Sequence, residues 1–198
     1  MGTVSTKDKI RDIAIFLFSD KGYDKVSMRD IAGKVGIKAA SIYNHFSSKE
    51  DILKSLYVFY SKQQKMATPD MEELLRMVET ESIQVILAKM DYHYTPEIEE
   101  KMDRIFLIAS NRIHSNVESQ RFIQKHLFGH LNEFVSPLLN RMIELGRIEP
   151  ISVDAFLVLL SYYSFGAAIL NSSPIKIGLE KWQHSLGLLF SLLKPISS

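Results

Sequence analysis

The stretch Ser27–Phe46, SMRDIAGKVGIKAASIYNHF, constrains this chain more than any other. Ile31, Ala32 and Val35 put an apolar stripe on one face of a short helix. Gly36 follows, where a chain leaving a helix takes positive φ at no steric cost to a side chain. Beyond the turn, Ala40, Ile42, Tyr43 and Phe46 supply the contacts that would pin a second helix across the first. The pattern predicts two short helices joined by a tight turn, a helix-turn-helix.

Charge gathers on the same stretch. The whole chain has a net charge of +1, yet Lys25, Arg29, Lys34, Lys38 and Lys49 face only one acid, Asp30, between residues 25 and 49. From Tyr57 onward the balance is slightly acidic. Positive charge confined to a candidate reading head is what phosphate contacts require. A merely solvated basic face is the plainer alternative. The expected role of the second helix is to enter the major groove of DNA.

Around this unit the sequence reads as helical throughout, with no strand alternation. The first helix is expected over about Thr6–Lys21, capped by Ser5 or Thr6. Ile10, Ile13, Ala14, Leu17 and Phe18 form one buried face and Ile15 and Phe16 lie outside it. Such a helix should touch two things, the small N-terminal core and a second domain. Ser27 caps the next helix. Ser47 or Ser48 with Glu50 or Asp51 resembles a capping arrangement for a long helix carrying Ile52, Leu53, Leu56, Tyr57, Phe59 and Tyr60 to about Met66. Thr68-Pro69-Asp70 stops it, since proline disfavours helix in the preceding residue. Helices are then expected over Met71–Met90, Pro96–His114, Val117–Leu145 (kinked at Pro137), Ser152–Asn171 and Leu179–Leu193. The expected fold is all-α with about nine helices. It comprises a three-helix helix-turn-helix domain over residues 1–48 and a helical ligand-binding and dimerisation domain over residues 49–198.

Two of these helices look too apolar for a monomer. Ala155–Leu170, AFLVLLSYYSFGAAIL, is hydrophobic almost all round. It falls short of the ~20 residues a membrane span needs, and Ser161, Ser164 and two tyrosines interrupt it, so it reads as a buried helix. Leu179, Trp182, Leu186, Leu189 and Leu193 recur at steps of three and four, a packing seam. Phe156, Leu160, Tyr163, Ala167, Trp182, Leu186, Leu189 and Leu193 are the expected dimer interface; an intramolecular helix pair is the alternative.

Several function classes lose support. There is no cysteine, which removes disulfides and thiol chemistry. No GxSxG, P-loop or GxGxxG motif appears, nor a carboxylate pair at a recognisable spacing, so no enzyme class and no cofactor is indicated. His126 and His130 share a helix face, with Glu133 a turn on, but no third ligand is fixed by spacing and no metal site is assigned. An N-terminus without a charged region followed by an apolar one argues against a signal peptide and for the cytoplasm.

With these residues in hand, the chain resembles the TetR family of bacterial transcriptional regulators. The resemblance runs roughly from Ile10 to Leu53. It rests on Ala14, Phe18 and Gly22-Tyr23, on Ser27-Met28-Arg29-Asp30-Ile31-Ala32, on Val35-Gly36-Ile37, on Ser41-Ile42-Tyr43-Asn44-His45-Phe46, and on Lys49-Glu50-Asp51-Ile52-Leu53. Beyond that, Glu144-Leu145-Gly146-Arg147-Ile148 resembles the family's link before its dimer helices. The resemblance implies a homodimer, an N-terminal DNA-binding domain and a variable C-terminal domain for a small effector, with repression relieved by that effector. An effector-independent regulator or activator assembling through its C-terminal helices is the alternative. By position, Ser27, Tyr43 and Lys49 match the family's phosphate contacts, and Arg29, Ala39, Ala40 and Ser41 match positions facing bases. Asn44 faces the groove, and His45 contacts phosphate or packs at the helix end. Lys38 departs from the pattern, standing where Ser or Thr commonly caps the recognition helix, and is assigned to phosphate.

The partners so implied are a double-stranded DNA operator, a second copy of the chain and a small molecule, with no membrane. Met66, Met77, Met90 and Met102, with Phe106, Asn111 and Phe122, are the candidate lining of a soft apolar effector pocket, thioethers adapting readily to irregular shapes. Ordinary core packing is the alternative for each of them.

Overall fold

The computed structural model describes residues 5–82, 85, 86, 89, 94–171, 188 and 193. Among them every regular element is helical. The chain divides into two compact units, one formed by Met1–Met66 with Tyr94–Phe122, the other by Ala67–His93 with Ile123–Ser198. This division differs from the expected boundary after residue 48.

In the first unit α1 (Thr6–Lys21) has the expected bounds, capped by Ser5, whose hydroxyl accepts from the Asp8 N–H. Ile10, Ala14, Ile15 and Phe18 are all buried, so the helix is two-sided as its sequence predicts. It packs on α2 (Met28–Val35) and on α5 (Pro96–Asn111). The second partner is therefore in the same compact unit, which is why the boundary falls elsewhere. Ion pairs reinforce the link. The Lys101 ammonium lies 3.0 Å from Asp12 and 2.8 Å from Glu97, and the Arg104 guanidinium lies 2.6 Å from Asp20. Burial works against the Lys101 ammonium, but its bonds to Glu97 and Asp12 prevail and hold its pKa above the ordinary lysine value.

Ser27 caps α2 through a reciprocal box. Its hydroxyl accepts from the Asp30 N–H at 3.2 Å while the Asp30 carboxylate accepts from the Ser27 N–H at 2.8 Å. Gly36 closes the helix at φ 83°, ψ 28°, and the Ile37 N–H reaches back to the Ala32 carbonyl at 3.0 Å. This six-residue closure needs the left-handed residue between its ends. α3 (Lys49–Ala67) buries Ile52, Leu53, Leu56 and Tyr57. α6 (Val117–Ile123) brings Phe122 onto Tyr57 and Tyr60, with ring centroids 4.4 and 4.8 Å apart.

The second unit contains α4 (Met71–Thr80), a π-helical segment Gln124–Gly129, α7 (His130–Glu144) and α8 (Val153–Asn171). The helix expected to run to Met90 ends at Thr80, where the Glu81 N–H closes on the Met77 carbonyl. The single helix expected over Val117–Leu145 is interrupted by the π-helical segment, while Pro137 sits inside α7. Leu74, Val78, Leu138, Leu139, Met142, Ile148, Phe156, Leu157, Leu160 and Leu193 form the core. The Arg147 guanidinium donates to the Val78 carbonyl.

Three expectations for the dimer face change here. Phe156, Leu160 and Leu193 are buried in this core rather than offered to a second copy. Tyr163 and Ala167 are half-buried. Trp182, Leu186 and Leu189 lie outside the described residues. The outward face of α8 carries instead Val158, Leu159 and Tyr162, exposed to 51%, 58% and 69%. The helix was apolar on every side, so its sequence did not reveal which side faced inward. By length and composition Val153–Leu170, with mean hydropathy 1.7, could cross a membrane. Its inner face, however, joins the core of the unit.

Candidate nucleic-acid interface

The second helix of the expected pair is absent as an α-helix. Residues 39 and 40 form a turn and Ser41–Asn44 a single 3-10 turn. Its closures span three residues, Ser41 N–H to the Lys38 carbonyl at 2.8 Å, Tyr43 N–H to Ala40 at 3.3 Å and His45 N–H to Ile42 at 3.0 Å, until the Phe46 N–H closes over four residues on the Ile42 carbonyl at 3.1 Å. Lys38 carries no side-chain acceptor that could cap the start of this segment, and the Ser41 N–H closes instead on the Lys38 carbonyl. Ile42 and Phe46 are buried and anchor the segment.

Ser27, Met28, Arg29, Ala39, Ala40 and Tyr43 line one open groove of about 490 Å³. Five of these are residues singled out in the sequence. Met28 was not, because its apolar side chain belongs to neither buried stripe and only its place in the first turn of α2 puts it there. Arg29, Lys38, Ala39, Ala40 and Asn44 are exposed, as is Tyr43 at 56%, whereas Ser41 and His45 are half-buried. The Ser27 hydroxyl is engaged in the capping box, and its bond to the exposed Asp30 carboxyl lowers that carboxyl's pKa.

Lys49 departs most from its expected role. Its ammonium donates to the carbonyls of Tyr23 and Val26, both at 2.8 Å, and lies 4.3 Å from the centre of the Tyr23 ring. Two of its three N–H bonds are thus spent inside the fold. Lys49→Ala is therefore expected to destabilise the protein by about 1–3 kcal/mol, since two carbonyls lose a charged donor. Urea unfolding measures this, and an unchanged midpoint would show the ammonium to be dispensable to the fold.

The expected effector residues are divided between the two units. Met66 is 71% exposed and Asn111 is exposed as well. Met77 packs against the core of the second unit, while Met102, Phe106 and Phe122 are buried in the first. Met90 lies outside the described residues. A thioether or phenyl group at helical spacing satisfies a core as well as a cavity, which is why composition alone suggested a pocket. Burial lowers the His126 pKa to about 4 and also depresses that of His130, so both imidazoles are neutral near pH 7. Among the described residues no group of three or more metal-ligating side chains converges.

Residues 10–56, which contain the whole groove, match the family model for bacterial regulatory proteins of the tetR family. The similarity to the TetR family thus lies on the stretch that carries the groove. Among its relatives is IcaR of Staphylococcus aureus (strain NCTC 8325 / PS 47), the negative transcriptional regulator of the biofilm operon icaADBC. The two are 37% identical over 107 residues, 53% of this chain and 54% of that protein. IcaR of Staphylococcus epidermidis is 54% identical over 48 residues, covering 24% of this chain and 26% of its own length. The chain thus spans about half the length of the S. aureus relative it matches. In fold it is similar to the TetR-family regulator PfmR from Thermus thermophilus, with a TM-score of 0.68, 23% identity and coverage of 99% and 100%. The family resemblance read from the sequence and the all-α fold class therefore hold.

Proposed function

We propose that this chain is a sequence-specific DNA-binding repressor of the TetR family that acts in the cytoplasm as a homodimer on an inverted-repeat operator. The observation that carries the reading is the groove shared by Arg29, Ala39, Ala40 and Tyr43, on the one stretch where basic charge is concentrated. Phosphate contacts set register, and base edges in the major groove supply specificity. Lys38, Tyr43 and the start of α2 serve the backbone; Arg29 reads guanine, and the Ala39 and Ala40 methyls meet thymine methyls. The role of IcaR as a negative regulator supports repression.

Selection from a random duplex pool tests the reading. It should recover an inverted repeat with thymines under Ala39 and Ala40 and half-site centres about 34–36 Å apart, or a multiple of that. Recovery of unenriched or asymmetric sequences would overturn it.

Release by a small apolar effector is the finer part of the proposal. The exposure of Met66 and Asn111 and the packing of Phe122, stacked on Tyr57 and edge-to-face with Tyr60, favour a second reading, regulation without an effector. Native mass spectrometry of protein taken from cell extract separates the two. A co-purified small molecule that lowers operator affinity supports release, and its absence supports the second reading.

A further inference from the structure

Tyr23 stands four residues before the Ser27 cap, at the entry to the helix-turn-helix, and it is gripped from several sides. The Arg112 guanidinium lies 3.8 Å from the centre of its ring, and the Lys49 ammonium 4.3 Å from it. Its hydroxyl donates to the Glu50 carboxylate at 3.0 Å. Arg112 also pairs with Asp24 at 3.1 Å, next in the chain to Tyr23. All of these contacts lie within the first unit.

The other Glu50 oxygen accepts from the Asn116 side-chain amide at 3.1 Å. Asn116 lies in the turn between α5 and α6, and its orientation is not arbitrary. Its Oδ1 accepts both the N–H and the hydroxyl of Ser119, at 2.8 and 2.9 Å. The NH₂ must therefore point at Glu50. Because the single Ser119 hydroxyl proton goes to Asn116, the Tyr57 hydroxyl at 2.7 Å must donate to Ser119. Burial raises the Tyr57 pKa to about 12 and raises that of Tyr23 as well, so both phenols keep the protons they donate. Ser119 is fully buried.

Every proton in the chain now has a direction: Tyr57 to Ser119, Ser119 to Asn116, Asn116 to Glu50, and Tyr23 to Glu50. The donors converge on one carboxylate, which joins the turn after α5 to the segment leading into α2. We infer that Asn116 is a positioning residue for DNA reading: without lining the groove, it holds Tyr23 and Glu50, and through them the entry to the helix-turn-helix, at a set angle on α5 and α6. The inference rests on the proposed DNA-binding function and adds a residue that neither motif nor groove indicates.

The test uses the full-length protein and the duplex recovered by selection, together with duplexes whose half-sites are moved by one or two base pairs either way. Wild type should prefer one spacing sharply. Asn116→Ala should weaken binding at that spacing about tenfold, bind random DNA as wild type does, and respond less to spacing, with a melting temperature lowered by several degrees but a cooperative unfolding transition retained. Asn116→Asp keeps the acceptor for Ser119 and sets a carboxylate against Glu50, so it should show the larger loss; it also serves if the alanine variant fails to fold. Glu50→Gln, which can accept only one of the two donors, should combine with Asn116→Ala less than additively. A spacing profile identical to wild type in a folded Asn116 variant overturns the inference. A wild type without spacing preference or operator preference overturns the DNA-reading proposal itself.

Discussion

Leu159→Glu is expected to convert the proposed dimer to a monomer and to weaken operator binding at least a hundredfold while leaving the fold intact. Val158, Leu159 and Tyr162 stand on the outward side of α8, exposed to 51%, 58% and 69%, with Ala155 exposed one turn earlier. Contiguous exposed apolar surface of this kind marks an association site. The opposite side of the helix is already committed to the core through Phe156, Leu157 and Leu160. A carboxylate at Leu159 would be desolvated without a partner in a paired face, which costs several kcal/mol. On an isolated chain the same change is a surface substitution, worth about 0.5 kcal/mol or less. The loss on DNA follows from linkage. Two heads joined in one dimer gain roughly 10²–10⁴ over a single head through effective concentration. Sedimentation and fluorescence anisotropy on the selected duplex measure both consequences. A dimeric Leu159→Glu protein would mean that this face is not where copies meet.

Arg29→Ala and Lys38→Ala should fail in different ways. Arg29 sits in the first turn of α2, exposed, on the rim shared with Ala39, Ala40 and Tyr43. A bidentate arginine–guanine contact contributes roughly 1–3 kcal/mol of discrimination. Its removal should cost about 5–150-fold on the selected duplex and little on random DNA. Lys38 is exposed at the start of the reading turn, and its ammonium suits a phosphate. Its removal should weaken binding to all sequences alike and reduce the salt slope by about 1. Anisotropy titrations on both duplexes at several salt concentrations separate these patterns. Equal losses on both duplexes for both variants would overturn the division of roles.

Lys49 belongs to neither group. Its sequence position matches a phosphate contact, yet the carbonyls of Tyr23 and Val26 hold its ammonium. Position in a motif identifies a residue's type and place, but not which acceptor lies within reach once α1, the Tyr23 turn and α3 have packed. Asn116 shows the reverse case. Its local sequence marks it only as a helix cap, its Oδ1 accepting from Ser119 three residues on, whereas Glu50 comes to it through tertiary packing.

Local chemistry accounts for what could be read early. Ser5 and Ser27 cap helices because a hydroxyl beside a helix start satisfies N–H groups a few residues away. Gly36 ends α2 because only the turn itself decides its φ. The bounds of α1, the helical class and the family resemblance all rest on interactions within a few residues. The reading segment shows the limit of such reasoning. Its apolar anchors Ile42 and Phe46 were legible, while its 3-10 form was not.

The remainder was decided by which surface meets which. Periodicity tells which side chains share a stripe but not what covers it. On α1 that left the second partner unknown, and α5 proved to fill it within the same unit. On α8, apolar all round, it left inside and outside interchangeable. Phe156 and Leu160 went to the core, and Leu159 and Tyr162 stayed at the surface, because α4 and α7 present Leu74, Val78, Leu138 and Leu139 to that core. Residue order alone was enough for the helical class, the bounds of α1, the Ser5 and Ser27 caps and the family resemblance. The faces of the helices were assigned by packing, since burial is a property of pairs of surfaces and not of either one alone.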